Sequence, residues 1–200
     1  DGGLGDDVFW ADNEADVLFD AGGTDTVHGL TNWTLGAGFE NLVLHTDAAE
    51  FGFGTGNALA NHMSVTYRGS LSGMGGNDTL IGEGGTLDGG DGNDLIQGNL
   101  ARFAEGGAGN DTISGSFQAT GGAGSDVFHI DFFDLITDFA TGTDTLLMDA
   151  GFPQFANAGP SGRFAASDAR FYAAAGADSA HDASDRLIYN TTTGDLYYDS

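Results

Sequence analysis

Through the middle of the chain, apolar residues come singly and at wide, regular intervals. Leu80, Ile96, Ile113 and Phe128 each close a short polar–apolar beat, with steps of 16, 17 and 15 residues. Beats this short predict β-strands of roughly 10 Å, each pointing one side chain inward. A second series, Leu71, Leu87, Ala104 and Ala119, keeps pace with the first, two residues before each following glycine-rich loop. It predicts a second row of strands facing the first. The fold class expected is therefore all-β: a parallel β-roll, a flattened solenoid with one apolar column on each inner face. The second column tapers to alanine, and Phe103 and Phe117 are expected to compensate nearby.

The segments between the beats repeat one phrase. It reads "GGLGDDVFW" from Gly2, "GMGGNDTLI" from Gly73, "GGDGNDLIQ" from Gly89, "GGAGNDTIS" from Gly106 and "GGAGSDVFH" from Gly121. Glycine at the first, second and fourth positions permits positive φ and a tight turn. The sixth position is Asp78, Asp94, Asp111 and Asp126 in the four adjacent copies. Their spacing is close to two repeat units, so all four loops must stack on one edge of the roll. The intervening scraps, such as "GNLARFAE" and "GSFQAT", then turn the chain at the opposite edge and have lost the Asp.

Charge turns this pattern towards chemistry. The 200 residues carry 30 acidic and 5 basic side chains, a formal charge of −25, with 35 glycines. Such a charge opposes compaction unless cations neutralise it, and it excludes nucleic acid as a partner, which needs a basic patch. Hydrophobic residues make up 40% of the chain, including 15 Phe, too many for a disordered polymer. Asp outnumbers Glu by 25 to 5, favouring short carboxylates placed by the backbone, as calcium loops use. There is no Cys, hence no thiolate site. His28, His45, His62, His129 and His181 form no close sequence pair, so zinc is not expected. No apolar run is long enough to span a membrane, and "GSLSG" at Gly69 is no nucleophile elbow.

The repeated nonapeptide resembles the RTX (hemolysin-type) calcium-binding repeat. The resemblance implies that calcium ions sit between successive loops of one edge. The earlier loop of each pair would give carbonyls from its second and fourth positions, the later from its first and third, and each its Asp. Carried onto this sequence, one ion lies among Met74, Gly76, Asp78, Gly89, Asp91 and Asp94. A second lies among Gly90, Gly92, Asp94, Gly106, Ala108 and Asp111, and a third among Gly107, Gly109, Asp111, Gly121, Ala123 and Asp126. Near the start, Gly3, Gly5 and Asp7 pair with Asp20, Gly22 and Asp25 of "DAGGTD". Past the last loop, "DLITDF" nominates Asp134 with Gly122, Gly124 and Asp126. "GNALAN" offers a weaker site of Asn57, Leu59 and Asn61 with Gly73, Gly75 and Asp78. Four to six ions are expected in all.

The flanks extend the resemblance. Residues 1–72, with Trp33, Leu35, Leu42 and Leu44 alternating, read as a roll segment with longer coils, 73–129 as the calcium block, and 130–200 as a cap cut short at Ser200. "RLIYN" and "DLYYD" around "TTTG" predict a hairpin, and "SDARFYAAAGA" a short helix or a strand edge. The resemblance implies a non-catalytic module of a larger secreted or surface protein of a Gram-negative-type bacterium. Such a module leaves through a type I secretion apparatus and folds on extracellular calcium. Two alternatives stay open: a self-associating surface or filament domain, and the tail of a secreted hydrolase or polysaccharide-modifying enzyme.

Overall fold

A computed structural model describes residues 1–30, 32–47, 49–130, 135–140, 142–148, 171–182, 187–193 and 196–198. The strands of the roll fall in two rows. One row holds β1 (Val8–Ala11), β2 (Thr26–Gly29), β4 (Asn41–Leu44), β6 (His62–Ser72), β7 (Thr79–Glu83), β9 (Leu95–Ala101), β11 (Thr112–Ser116), β13 (Val127–Ile130) and β15 (Thr145–Met148). The other holds β3 (Trp33–Thr34), β5 (Gly52–Thr55), the second half of β6, β8 (Thr86–Asp91), β10 (Phe103–Ala108), β12 (Gln118–Ala123) and β14 (Leu135–Ile136). Every pairing within each row is parallel. The long β6 belongs to both rows and turns from one face to the other. The chain thus winds as one β-roll from β1 to β15.

Both inner columns form as the spacing predicts. Phe9, Val27, Leu42, Met63, Leu80, Ile96, Ile113, Phe128 and Leu146 are in direct register across the first row. Gly54, Leu71, Leu87, Ala104, Ala119 and Ile136 make the facing column. From Val27 to Phe128 the first column is closed to solvent, as is the second from Leu71 to Ile136. Each coil is too short to own a core, so burial depends on stacking.

Phe103 and Phe117 do not compensate for the alanine taper. Phe103 is half-buried beneath Arg102, and Phe117 is 48% exposed on the outer surface. Small residues crowd this part of the coil: a Cβ at Gly98 would meet the Gly115 carbonyl oxygen of the next coil at 2.6 Å and Ala101 Cβ at 2.7 Å.

At the far end β16 (Phe171–Ala174), β17 (Leu187–Asn190) and β18 (Leu196–Tyr198) form a separate sheet. β17 and β18 are the predicted antiparallel hairpin, and β16 resolves the helix-or-strand alternative as a strand. The Tyr189 hydroxyl donates to the Phe139 carbonyl (2.6 Å), and the two rings meet edge to face with centroids 5.5 Å apart. This anchors the sheet on the last coil. Among the described residues no helix is long and apolar enough to cross a membrane.

Candidate metal centre

Every strict loop lies on the same edge of the roll, and its geometry follows from where glycine stands. The second and fourth positions take positive φ: Gly3 and Gly5, Met74 and Gly76, Gly90 and Gly92, Gly107 and Gly109, Gly122 and Gly124. Met74, at φ 77, is the only non-glycine residue at these ten positions. First-position glycines serve differently. A methyl group on Gly73, Gly89, Gly106 or Gly121 would collide with Oδ2 of Asp78, Asp94, Asp111 or Asp126, the Asp of its own loop. The missing side chain makes room for the carboxylate.

The sixth positions then form a ladder. Oδ1 of Asp94 accepts the backbone N–H of Asp78 (2.7 Å), Asp111 that of Asp94 (2.8 Å), and Asp126 that of Asp111 (2.9 Å). Asp78 accepts from Asn61 N–H (2.7 Å) and Asp25 from Asp7 N–H (2.8 Å). One oxygen of each carboxylate is thereby held by backbone. The second is not: Oδ2 of Asp7, Asp25, Asp78, Asp94 and Asp111, and Oδ1 of Asp20, are buried without any hydrogen-bond partner. Leaving a buried carboxylate oxygen unpaired is costly unless a cation faces it. Burial pushes the carboxyls of Asp78 and Asp111 up to about 6, and raises those of Asp25, Asp94 and Asp126 for the same first reason.

The orphan oxygens have oxygen company. The point where a Gly73 Cβ would stand lies against Asp78 Oδ2 and 2.6 Å from the Gly89 carbonyl oxygen. At Gly89 the neighbours are Asp94 Oδ2 and, at 2.6 Å, the Gly106 carbonyl; at Gly106 they are Asp111 Oδ2 and, at 2.5 Å, the Gly121 carbonyl. The carbonyls of Gly76, Gly92 and Gly109 sit against the fourth-position glycine of the next loop, and those of Gly90 and Gly107 against its second-position glycine. Other carbonyls named from the resemblance also hold loops together. Met74 accepts from Asp91 N–H (3.0 Å), Asp91 from Gly76 (2.8 Å), Ala108 from Gly92 (2.7 Å) and Ala123 from Gly109 (2.7 Å). A carbonyl has two lone pairs, so such a bond leaves one for an ion. This donor set, oxygen only and partly anionic, suits a hard cation such as calcium.

Near the start, Gly3 accepts from Ala21 N–H (2.9 Å) and Gly22 from Gly5 N–H (2.8 Å), which stacks the two expected loops. Asp7, Asp20 and Asp25 each offer an oxygen, all within 4.8 Å of one another. Asp20 stands where the strict loops have glycine and adds a third carboxylate. Asp134 lies outside the described residues. Two acids unforeseen from the sequence serve the last coil instead. Asp138 accepts from Gly121 and Gly122 N–H (2.9 and 2.7 Å), and Asp144 accepts from Asp126 N–H (3.0 Å). Glu40 is another, accepting from Asp25 N–H (2.9 Å). A fifth-position ladder was equally unforeseen: Asn77, Asn93 and Asn110 accept from Asn93, Asn110 and Ser125 N–H at 2.7–2.8 Å.

The family model for the RTX calcium-binding nonapeptide repeat matches four times, at residues 1–31, 69–96, 86–100 and 103–119. The chain carries RTX calcium-binding repeats. The loop at Gly121 lies past the matched residues yet continues the RTX ladder through Asp126. No curated protein and no solved structure matches the chain.

The histidines need one correction. His28 Nδ1 and His45 Nε2 stand 2.8 Å apart, though distant in sequence, and Trp10 stacks on His28 with centroids 4.4 Å apart. Adjacent parallel coils bring them together. Burial lowers the His28 pKa and so favours its neutral form. No carboxylate or further His joins them within ligand distance; among the described residues Asp7, Asp20 and Asp25 are the sole such group.

Proposed function

We propose that this chain is a calcium-driven folding module of a larger exported protein, with no catalysis of its own. The observation that carries the reading is the row of buried, unpartnered carboxylate oxygens along one edge. The residues that would hold the ions are those given above: Met74, Gly76, Asp78, Gly89, Asp91 and Asp94 for one, with the next two junctions following in the same pattern. The N-terminal ion would use Gly3, Gly5, Asp7, Asp20, Gly22 and Asp25. Where calcium is scarce, the charge of −25 keeps the chain expanded and fit for passage through a type I exporter. Outside a cell, extracellular calcium modules bind at about 10⁻⁴–10⁻³ M. Each independent site then adds RT ln(1+[L]/Kd) to folding.

The test is far-UV circular dichroism during a calcium titration, with magnesium as control. The reading expects a cooperative gain of β signal with calcium and none at equal magnesium. A chain already fully folded in EGTA would overturn it.

A further inference from the structure

One junction of the edge has no orphan carboxylate, and side-chain amides stand there instead. The loop before β4 ends at Glu40, in register with Asp25, and the following loop ends at Asn61. Asn57 Nδ2 donates to the carbonyls of Gly36 (2.7 Å) and Phe39 (2.8 Å). Asn61 Nδ2 donates to the carbonyls of Phe39 (3.2 Å) and Glu40 (3.3 Å), and to Asn57 Oδ1 (3.2 Å). Gly36 stands four residues before Glu40, as Gly90 stands four before Asp94. Its carbonyl therefore holds the position that offers oxygen to an ion elsewhere on the edge.

The amide orientations are fixed. Asn57 Oδ1 accepts the N–H of Leu59 (2.8 Å), and Asn61 Oδ1 accepts that of Asn57 (2.8 Å). With each oxygen committed to a backbone donor, each –NH₂ must face the carbonyls of the preceding coil. Two neutral donors thus do what a cation does at the other junctions: they satisfy converging carbonyl oxygens. Asn61 is 2% exposed, and neither Asn leaves a buried side-chain atom unpartnered.

The packing at this junction points the same way. Trp33, Leu35, Phe39, Leu42, Leu44, Met63 and Val65 are all buried around it. In the strict block the second column has fallen to Ala104 and Ala119. Apolar burial supplies more of the folding energy where side chains are larger.

We infer that Asn57 and Asn61 form a calcium-independent lock that makes residues 33–65 the seed from which the calcium-dependent coils wind. Asn61 N–H donates to Asp78 Oδ1, so the seed presents the first rung of the strict block already aligned. The weaker ion that "GNALAN" suggested belongs to the following junction, with Gly73, Gly75 and Asp78, which the lock does not touch. The lock rests on the calcium reading only for its contrast with the neighbouring coils.

The experiment is amide hydrogen exchange of the whole chain in EGTA and in calcium, on the native sequence and on Asn61→Asp. In EGTA the native chain should keep protection over 33–65, at least tenfold above residues 73–126. Asn61→Asp should lose that protection in EGTA, because a carboxylate repels the carbonyls the amide bound, and regain it with calcium. Exchange over 33–65 as fast as in the strict block overturns the lock, as does unchanged EGTA protection in Asn61→Asp. Should 73–126 also be protected in EGTA, the calcium reading fails, and Asn61→Asp still decides the lock by its effect on 33–65.

Discussion

Two stretches of one roll solve the same problem with different chemistry. Between Asn57 and Asn61 and the coil before them, converging carbonyls are met by amide N–H groups, and large side chains fill the interior. Between Asp78 and Asp126, carbonyls converge on carboxylates whose second oxygens, Oδ2 of Asp78, Asp94 and Asp111, have no protein donor, beside a second column reduced to Ala104 and Ala119. The backbone path is shared, since the strands of both stretches run in one register. Loop chemistry, not fold, decides which stretch stands alone and which waits for an ion. A solenoid makes this division easy, because each coil answers mainly to its neighbours.

The largest effect should come from Asp94→Ala. It removes a rung that accepts from Asp78 N–H and an oxygen proposed to serve two junctions. Losing two ions at calcium about tenfold above Kd costs roughly 3 kcal/mol. The calcium midpoint in circular dichroism should rise at least tenfold, while EGTA protection over 33–65 stays put. Gly89→Ala should follow, at about 1–3 kcal/mol for forcing an overpacked site. Its methyl group strikes Asp94 Oδ2 without removing any ligand, so a shift in calorimetric calcium affinity would show that the carboxylate's place matters.

Protons should imitate calcium weakly along the acidic edge. Asp78 and Asp111 have carboxyls pushed from an ordinary 3.8 up to about 6 by burial. A raised folded value means that the calcium-free roll binds more protons than the unfolded chain between those limits. Its stability is therefore highest below the unfolded value and lost as pH rises through about 6. With calcium present the dependence reverses, because ions and protons compete for the same oxygens. Denaturant melts at pH 4.5 and 7.5, with and without calcium, check both signs. The smallest effect belongs to Met74→Gly, which relieves a left-handed residue and should stabilise the calcium-loaded roll by about 1 kcal/mol. A thermal melt reads it.

The spacing of Leu80, Ile96, Ile113 and Phe128 was enough to read the roll, its two columns and its single acidic edge, because a strict period leaves one way to stack. It also brought the stacked loops of Gly3 and Gly22 together with Asp7, Asp20 and Asp25. Features set by contacts between coils were harder. Glu40 and Asp144 take their places through strand register, which irregular steps of 15 and 18 residues conceal. The fifth-position Asn ladder hid in a position the motif leaves open, and the donor role of Asn57 and Asn61 towards the preceding coil was hidden because an amide and a carboxylate share a shape. His28 and His45 met only because two coils align. Phe103 and Phe117 misled for the opposite reason: proximity in sequence to the alanine column did not bring their side chains into the interior.

A calcium-loaded crystal structure, with the ions located by their anomalous scattering, tests the central claim most directly. The account predicts peaks in a row beside the orphan oxygens of Asp78, Asp94 and Asp111, another among Asp7, Asp20 and Asp25, and none between the Asn57 coil and the one before it. Ions on the opposite edge, or an ion between the Asn57 coil and the one before it, would contradict it.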